Sequence, residues 1–339
     1  MKAIGYTQSL PISDPKALFA FEAPAPVPGP RDLLVRVKAI SVNPVDTKVR
    51  MRRQGTDDAP VILGWDAAGV VDAVGDAVTL FRPGDEVYYA GSLTRPGTNA
   101  ELHAVDERIV ALKPKSLGFA EAAALPLTAI TAWEALFDRL RLPVGKAGPG
   151  GTLLIIGAAG GVGSIAVQLA RRLTAFTVIG TASRAETRDW VTKLGAHHVV
   201  DHTRPLSEEV KALGIADVDA VFSLTATDKH WTEIVAVLKP QGAVCVIDDP
   251  GPLEIGLLKQ KAATFVWELM FTRSMFETPD MIAQHRLLTE VAALVDEGLV
   301  RTTLGTHFGA ITAENLRRAH AALEAGRSIG KVVLEGWGD

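Results

Sequence analysis

Cysteine is almost missing from this 339-residue chain, which has one, Cys245. A lone cysteine forbids an intrachain disulfide and any metal site that needs two thiolate ligands. It also fits a reducing, cytoplasmic setting better than an oxidising one. An excess of positive charge is lacking too: 35 Lys and Arg stand against 39 Asp and Glu, a formal net charge of −4. Nucleic-acid binding therefore has no electrostatic footprint here, since that usually shows as a basic domain or stripe. The opening MKAIGYTQSL carries one lysine and no long apolar core, so a secretory leader is not expected. No internal repeat or low-complexity tract occurs. The one long uncharged stretch, Ala147 to Ala170, contains seven glycines and a proline. That is too broken for a membrane-spanning helix and reads instead as strand, glycine turn and helix.

What is present divides into two rhythms. Over 1–125, short β-type runs such as LLVRVKAISV (33–42) and GVVDAVG (69–75) alternate with proline- and glycine-rich turns. From about 126 the pattern becomes strand, helix, strand. TLLIIG (152–157), TVIGTAS (177–183), HHVVD (197–201), DAVFSLT (219–225) and GAVCVID (242–248) are apolar runs suited to buried strands. Helical stretches near 186–194, 205–213 and 229–238 separate them. The fold class is α/β: a β-barrel-like domain over 1–125, completed by about 300–339, and a doubly wound parallel sheet over 126–299. A further helix is expected from Pro279 to Glu297, capped by Thr278 and ended by Gly298.

The strongest chemical signal is GAAGGVGSIAVQLA, Gly157 to Ala170, which leaves a strand and opens a helix. Gly160 and Gly161 are expected to form a tight turn with unusual φ, and Gly163 to let the helix approach the strand. The helix N-terminus then offers N–H groups to a pyrophosphate. The spacing is Gly-x-x-Gly-x-x-Gly, a departure from GxGxxG. Where an NAD enzyme carries an acid to hold the ribose 2′-hydroxyl, this chain has Ala182, Ser183 and Arg184. Ser183 and Arg184, with Arg188 as a helper, suit a 2′-phosphate, which favours NADPH. The plainer reading leaves these arginines as solvated surface residues.

With SVNPVDTKVR (41–50), GWDAAGVVDAVGDAV (64–78), FRPGDEVY (81–88), LPLTAITAWEAL (125–136), KLGAHHVVDH (193–202) and IGKVVLE (329–335), the chain resembles the medium-chain dehydrogenase/reductase superfamily. Within it, the likeness is to the zinc-free quinone oxidoreductase branch, and FVWELMFTRSMFETPDMIAQH (265–285) is similar to a subgroup labelled zinc-type alcohol dehydrogenase-like. The resemblance implies a GroES-like catalytic domain and a Rossmann domain with NADPH in the cleft between them. The zinc ligands of the alcohol dehydrogenases fall here on Asn43, on Trp65 and on a segment without cysteine, so no metal is expected. HHVVDH offers no substitute, because on a strand His198 and His202 would lie about 13 Å apart at 3.3 Å per residue.

Without a Lewis acid, hydride transfer needs an acceptor that is already electrophilic: a quinone or an α,β-unsaturated carbonyl compound, enoyl reduction included. By resemblance, Asn43 and Asp46 face nicotinamide and substrate, Thr131 lies near the nicotinamide, Ile247, after the fifth strand, lies near the cofactor, Gly161 and Val162 bind pyrophosphate, and His202 stands on the adenosine side. Lys331, after its matching glycine, joins the cofactor set. Asp46 could equally cap its own loop, and Trp65 either lines the acceptor site or fills the volume a metal site vacates. Met270, Phe271, Met275 and Phe276 are pocket wall or subunit contact. ATFVWELMF (263–271) is an apolar run that relatives pair edge to edge, which implies a homodimer. The competing functions are a zinc-type alcohol dehydrogenase or aldehyde reductase, and a non-catalytic NADPH-binding protein.

Overall fold

Leu33, Val35 and Val37 are buried while Arg36 and Lys38 face solvent, the period-two pattern of a half-buried strand. The strand they form, Asp32–Val42, organises the first of two compact units in the computed structural model, which describes residues 1–338. That unit comprises Met1–Ile130 together with the chain from Phe271 onward, and the second comprises Thr131–Met270.

In the first unit Asp32–Val42 is flanked by Lys331–Glu335 and Asp66–Val74 in a seven-stranded sheet. Both pairings are antiparallel, and their registers decide what meets at one end. Ser41 lies opposite Asp66, and Val42 lies opposite Val332. Asn43, Asp66 and Lys331 are thereby gathered from three distant parts of the chain. The helix Pro44–Arg52 starts immediately after Asn43, with proline in its first turn where a missing N–H does no harm.

The second unit is a six-stranded parallel sheet: β1 (Thr152–Ile156), β2 (Thr177–Thr181), β3 (His198–Val200), β4 (Val218–Ser223), β5 (Leu238–Val246) and β6 (Thr264–Trp267). Their order is β3-β2-β1-β4-β5-β6, with every pairing parallel. The connecting helices are α1 (Gly161–Leu173), α2 (Ala185–Lys193), α3 (Leu206–Ala212) and α4 (Thr227–Val237). This is the doubly wound order, with its switch point between β1 and β4. Leu154, Ile179, Val221 and Val244 of the strands pack with Ile234 and Val237 of α4 in one apolar core.

Two sequence expectations are corrected. The helix expected from Pro279 runs Ala283–Asp296, because Asp280 holds the preceding turn. It accepts from Thr278 Oγ1 at 2.6 Å and pairs with Arg273 at 2.9 Å. Gly298, at φ +71°, does end the helix. That helix also belongs to the first unit, not the second. Tyr88 donates to the Leu288 carbonyl at 2.6 Å and His285 to the Val110 carbonyl at 2.7 Å, so the return falls at Phe271, not near 300.

Candidate functional site

The glycine loop leaves β1 as a sharp turn, but the unusual φ sits at Gly157 (+83°). Gly160 has φ −74° and Gly161 opens the helix, which corrects the expectation that those two carry the strain. Gly157 N–H is held by Thr181 Oγ1 of β2 at 3.1 Å. A Cβ at Gly163 would stand 2.5 Å from Ala158 Cα and 2.6 Å from the Gly157 carbonyl, so close packing demands glycine there. Gly160 is different: a Cβ there would meet only the Gly157 carbonyl, at 3.5 Å. Neither backbone strain nor packing explains this glycine. Open space above it, next to the unsatisfied first N–H groups of α1 at Gly161, Val162 and Gly163, fits a pyrophosphate approaching the backbone. The residues present therefore fit a dinucleotide cofactor.

At the ends of β2 and β3 the strands run in register, Thr181 opposite Val200, and Ala182 N–H donates to the Val200 carbonyl at 2.9 Å. Two residues further along lie Ser183, exposed, and His202, half-buried. Arg184 stands at the start of α2 with its guanidinium 3.4 Å from Glu186. Arg188 is not a free surface residue. It donates to the Ala182 carbonyl at 3.2 Å and the Val199 carbonyl at 2.9 Å, clamping the two strand ends. Ile247 follows β5, its N–H on the Ser223 carbonyl, and Thr131 is buried in the helix Pro126–Trp133.

In the first unit Asn43, Asp46, Asp66 and Lys331 form a buried polar cluster. Lys331 Nζ donates to Asp66 Oδ2 at 3.0 Å, to Asn43 Oδ1 and to the Val42 carbonyl. Asn43 Nδ2 donates to the same Asp66 oxygen at 2.8 Å, and Leu127 N–H caps the other at 2.7 Å. Asp46 reaches back to Asn43 N–H at 2.5 Å, a capping box on the helix that follows. Its Oδ1 is buried without a partner. Burial pushes the Asp46 carboxyl up to about 7, against the pull of the Asn43 N–H and the Lys331 charge.

Lys331, expected among cofactor contacts, thus spends its ammonium inside this cluster. Trp65 is 1% exposed, donates its indole N–H to the Ser92 carbonyl at 3.0 Å and meets Phe271 edge-on at 6.1 Å. The ring is buried and packed on both counts. Phe271 and Met270 are buried, whereas Phe276 is 71% exposed. His202 lies in the turn beyond β3, so the His198 and His202 pair does not share one strand.

Two groups escaped the sequence reading. Asp66 carries no local signal, because its partners come from strand register. Glu268, at the end of β6, pairs with Arg139 at 2.8 Å and is buried with Glu134. Burial and the neighbouring Glu134 push its carboxyl well above the usual range.

The zinc of the alcohol dehydrogenases does not fit these residues. An amide and an indole stand in two of the ligand positions and a cysteine-free segment in the third, and the Lys331 ammonium already lies against the amide, Asn43, and the neighbouring Asp66 carboxylate. Among the described residues no group of three His, Cys, Asp or Glu could hold a metal ion.

Comparison with known proteins places this architecture. The alcohol dehydrogenase GroES-like domain family matches residues 29–130, and the zinc-binding dehydrogenase family matches 194–334. A zinc-type alcohol dehydrogenase-like protein of Staphylococcus aureus (strain MSSA476) is 41% identical, over 98% of this chain and 99% of its own. The crystal structure of a putative zinc-dependent alcohol dehydrogenase from Rhizobium etli superposes with a TM-score of 0.96 at 59% identity, covering 100% of this chain and 99% of that one. A quinone oxidoreductase of Pseudomonas syringae gives 0.83 at 27% identity, covering 98% and 99%.

Proposed function

The chain belongs to the medium-chain dehydrogenase/reductase superfamily, in its quinone oxidoreductase-like branch, and from that premise we propose an NADPH-dependent, metal-independent reductase of quinones or α,β-unsaturated carbonyl compounds. The observation that carries this reading is the Lys331 ammonium held between Asn43 and Asp66, so that at Asn43, where zinc-dependent relatives need a thiolate, an amide lies against a cation. An alcohol or aldehyde then has no Lewis acid to polarise it. A quinone or enone needs none, because conjugation makes it electrophilic.

When bound, NADPH supplies the hydride at C4 of its nicotinamide. Gly160, Gly161, Val162 and Gly163 hold the pyrophosphate through backbone N–H groups. Ser183 and Arg184 take the 2′-phosphate, and His202 flanks the ribose. Thr131 borders the nicotinamide, and Ile247 lies along the cofactor. Asn43, its amide fixed at both ends by Lys331 and Asp66, gives the reacting centre a rigid polar wall, and burial beside it raises the Asp46 carboxyl towards neutrality. Orientation and exclusion of water do the remaining work. The protein works in the cytoplasm as a homodimer, joined along the β6 edge, where Trp267 and Leu269 are 54% and 50% exposed.

The test is oxidation of NADPH and NADH with 1,4-benzoquinone, 9,10-phenanthrenequinone, an enone and an aldehyde, with and without chelator. NADPH-selective, chelator-resistant turnover of quinone or enone is expected. Aldehyde turnover that chelation abolishes would overturn the proposal.

A further inference from the structure

His202 and His230 meet edge to face, with ring centroids 6.1 Å apart and planes at 75°. This contact is not one between neighbouring strands. His202 follows β3 and His230 lies in the first turn of α4, which follows β4. In the sheet β2 and β1 stand between β3 and β4, about 14 Å of backbone at 4.8 Å per strand. The two side chains therefore form a strut across the carboxyl edge, where doubly wound sheets bind ligands.

The strut has a direction. His202 Nδ1 is buried without a hydrogen-bond partner. A buried N–H left unmet is more costly than an unmet lone pair, so the favoured neutral tautomer carries its proton on Nε2. That N–H is what the ring offers outward. Ser183 and His202 each follow the Thr181–Val200 pair by two residues, at the ends of neighbouring strands, and Arg184 comes next. Burial, then the neighbouring His202, push the His230 imidazole below its ordinary value, so it packs as a neutral ring. The other charged groups acting on it are Asp228, Lys229 and Asp248.

We propose that His230 is a positioning residue for cofactor choice: its ring fixes the His202 imidazole so that Nε2–H, the Ser183 hydroxyl and the Arg184 guanidinium converge on a ribose 2′-phosphate. This rests on the NADPH reading above and adds a residue that touches the phosphate only through His202.

The experiment is calorimetric titration of the whole protein with NADPH, NADH, adenosine 2′,5′-bisphosphate and ADP, for wild type, His230→Ala and His230→Phe. His230→Ala should weaken NADPH and the bisphosphate by about five- to tenfold, a part of the worth of one charge-assisted hydrogen bond, because the His202 ring stays but loses its fixed orientation. NADH and ADP should hold within about twofold. His230→Phe, which keeps the ring, should restore most of the phosphate preference. Equal losses for all four ligands would make His230 merely structural and overturn the proposal. So would a preference that survives His230→Ala, or a Phe variant as impaired as Ala. A wild type that binds NADPH no better than NADH would instead sink the NADPH reading itself, and this inference with it.

Discussion

The Lys331 ammonium and the Asp66 carboxylate lie 3.0 Å apart, their side chains 3% and 0% exposed, joined across 265 positions of sequence. Removing one partner strands the other in a medium that cannot solvate it. Lys331→Met should cost about 3–5 kcal/mol of stability by urea denaturation. The double variant Lys331→Met, Asp66→Asn should lose less than the single one. A double variant as unstable as the sum of both singles would show the pair to be uncoupled.

Asp46 gives a dependence on pH whose sign is fixed. Its carboxyl rises in the folded chain from 3.8 to about 7, so between those values the folded state holds a proton that the unfolded state has lost. Stability from this group is full at the acid end and falls as pH climbs through that window. Asp46→Asn keeps an acceptor for the Asn43 N–H and should flatten the decline, with a gain on the order of 2–4 kcal/mol above pH 7. Thermal melts across pH 4–8 would read it.

Gly160 and Gly163 should separate folding from binding. Gly163→Ala forces a Cβ against Ala158 and Gly157 backbone and should destabilise by about 1–3 kcal/mol. Gly160→Ala meets only one carbonyl at 3.5 Å, so its stability should stay within about 0.5 kcal/mol of wild type. Its NADPH affinity should nevertheless fall at least about tenfold, because the methyl stands where the pyrophosphate approaches. Unchanged affinity would remove the loop from the cofactor site.

Glu134 and Glu268 hold a second acid signature. Burial and Glu134 raise Glu268, so the folded state retains its proton at pH values where the unfolded chain has released it. Stability from this pair is present in acid and is lost as pH rises. Glu134→Gln removes one of the two like charges, and the alkaline limb of the stability profile should become shallower.

Trp267 tests the edge of β6. Trp267→Glu places a charge on the exposed strand and should shift sedimentation from dimer to monomer, with the Thr131–Met270 unit still folded by circular dichroism. A wild type that sediments as a monomer would remove the dimer from the proposal.

Much of the second unit was legible because its signals are local. The β1 run, the glycines and the apolar face of α1 are contiguous, and periodicity identifies them. What sequence could not say is which glycine takes the positive φ, since Gly157, Gly160 and Gly161 are equally permissive and tertiary contacts decide. The start of the helix at Ala283 was misread for a similar reason: Thr278 and Pro279 suit a cap, yet Asp280 captures Thr278 and Arg273 first. Asn43, Trp65 and Lys331 were individually visible. Their partners Asp66 and Ser92 were not, because register across a sheet, not spacing along the chain, brings them together.

The second unit is a continuous insert within the first, and Val42 must wait for Val332 to pair. On the ribosome, residues 1–130 emerge with Leu102–Asp106 able to pair with Asp32–Arg36 but with the Ala39–Val42 end of the same edge still lacking its neighbour, while the insert can close as soon as its own last strand is out. At roughly 5–20 residues per second, the intervening 290 positions take on the order of 15–60 seconds to synthesise. Through that interval the strand end Ala39–Val42, with Ile40 and Val42 destined for burial, stands open on one edge to other nascent chains. The order of synthesis thus makes the outer unit the last to mature and the most dependent on being shielded while it waits.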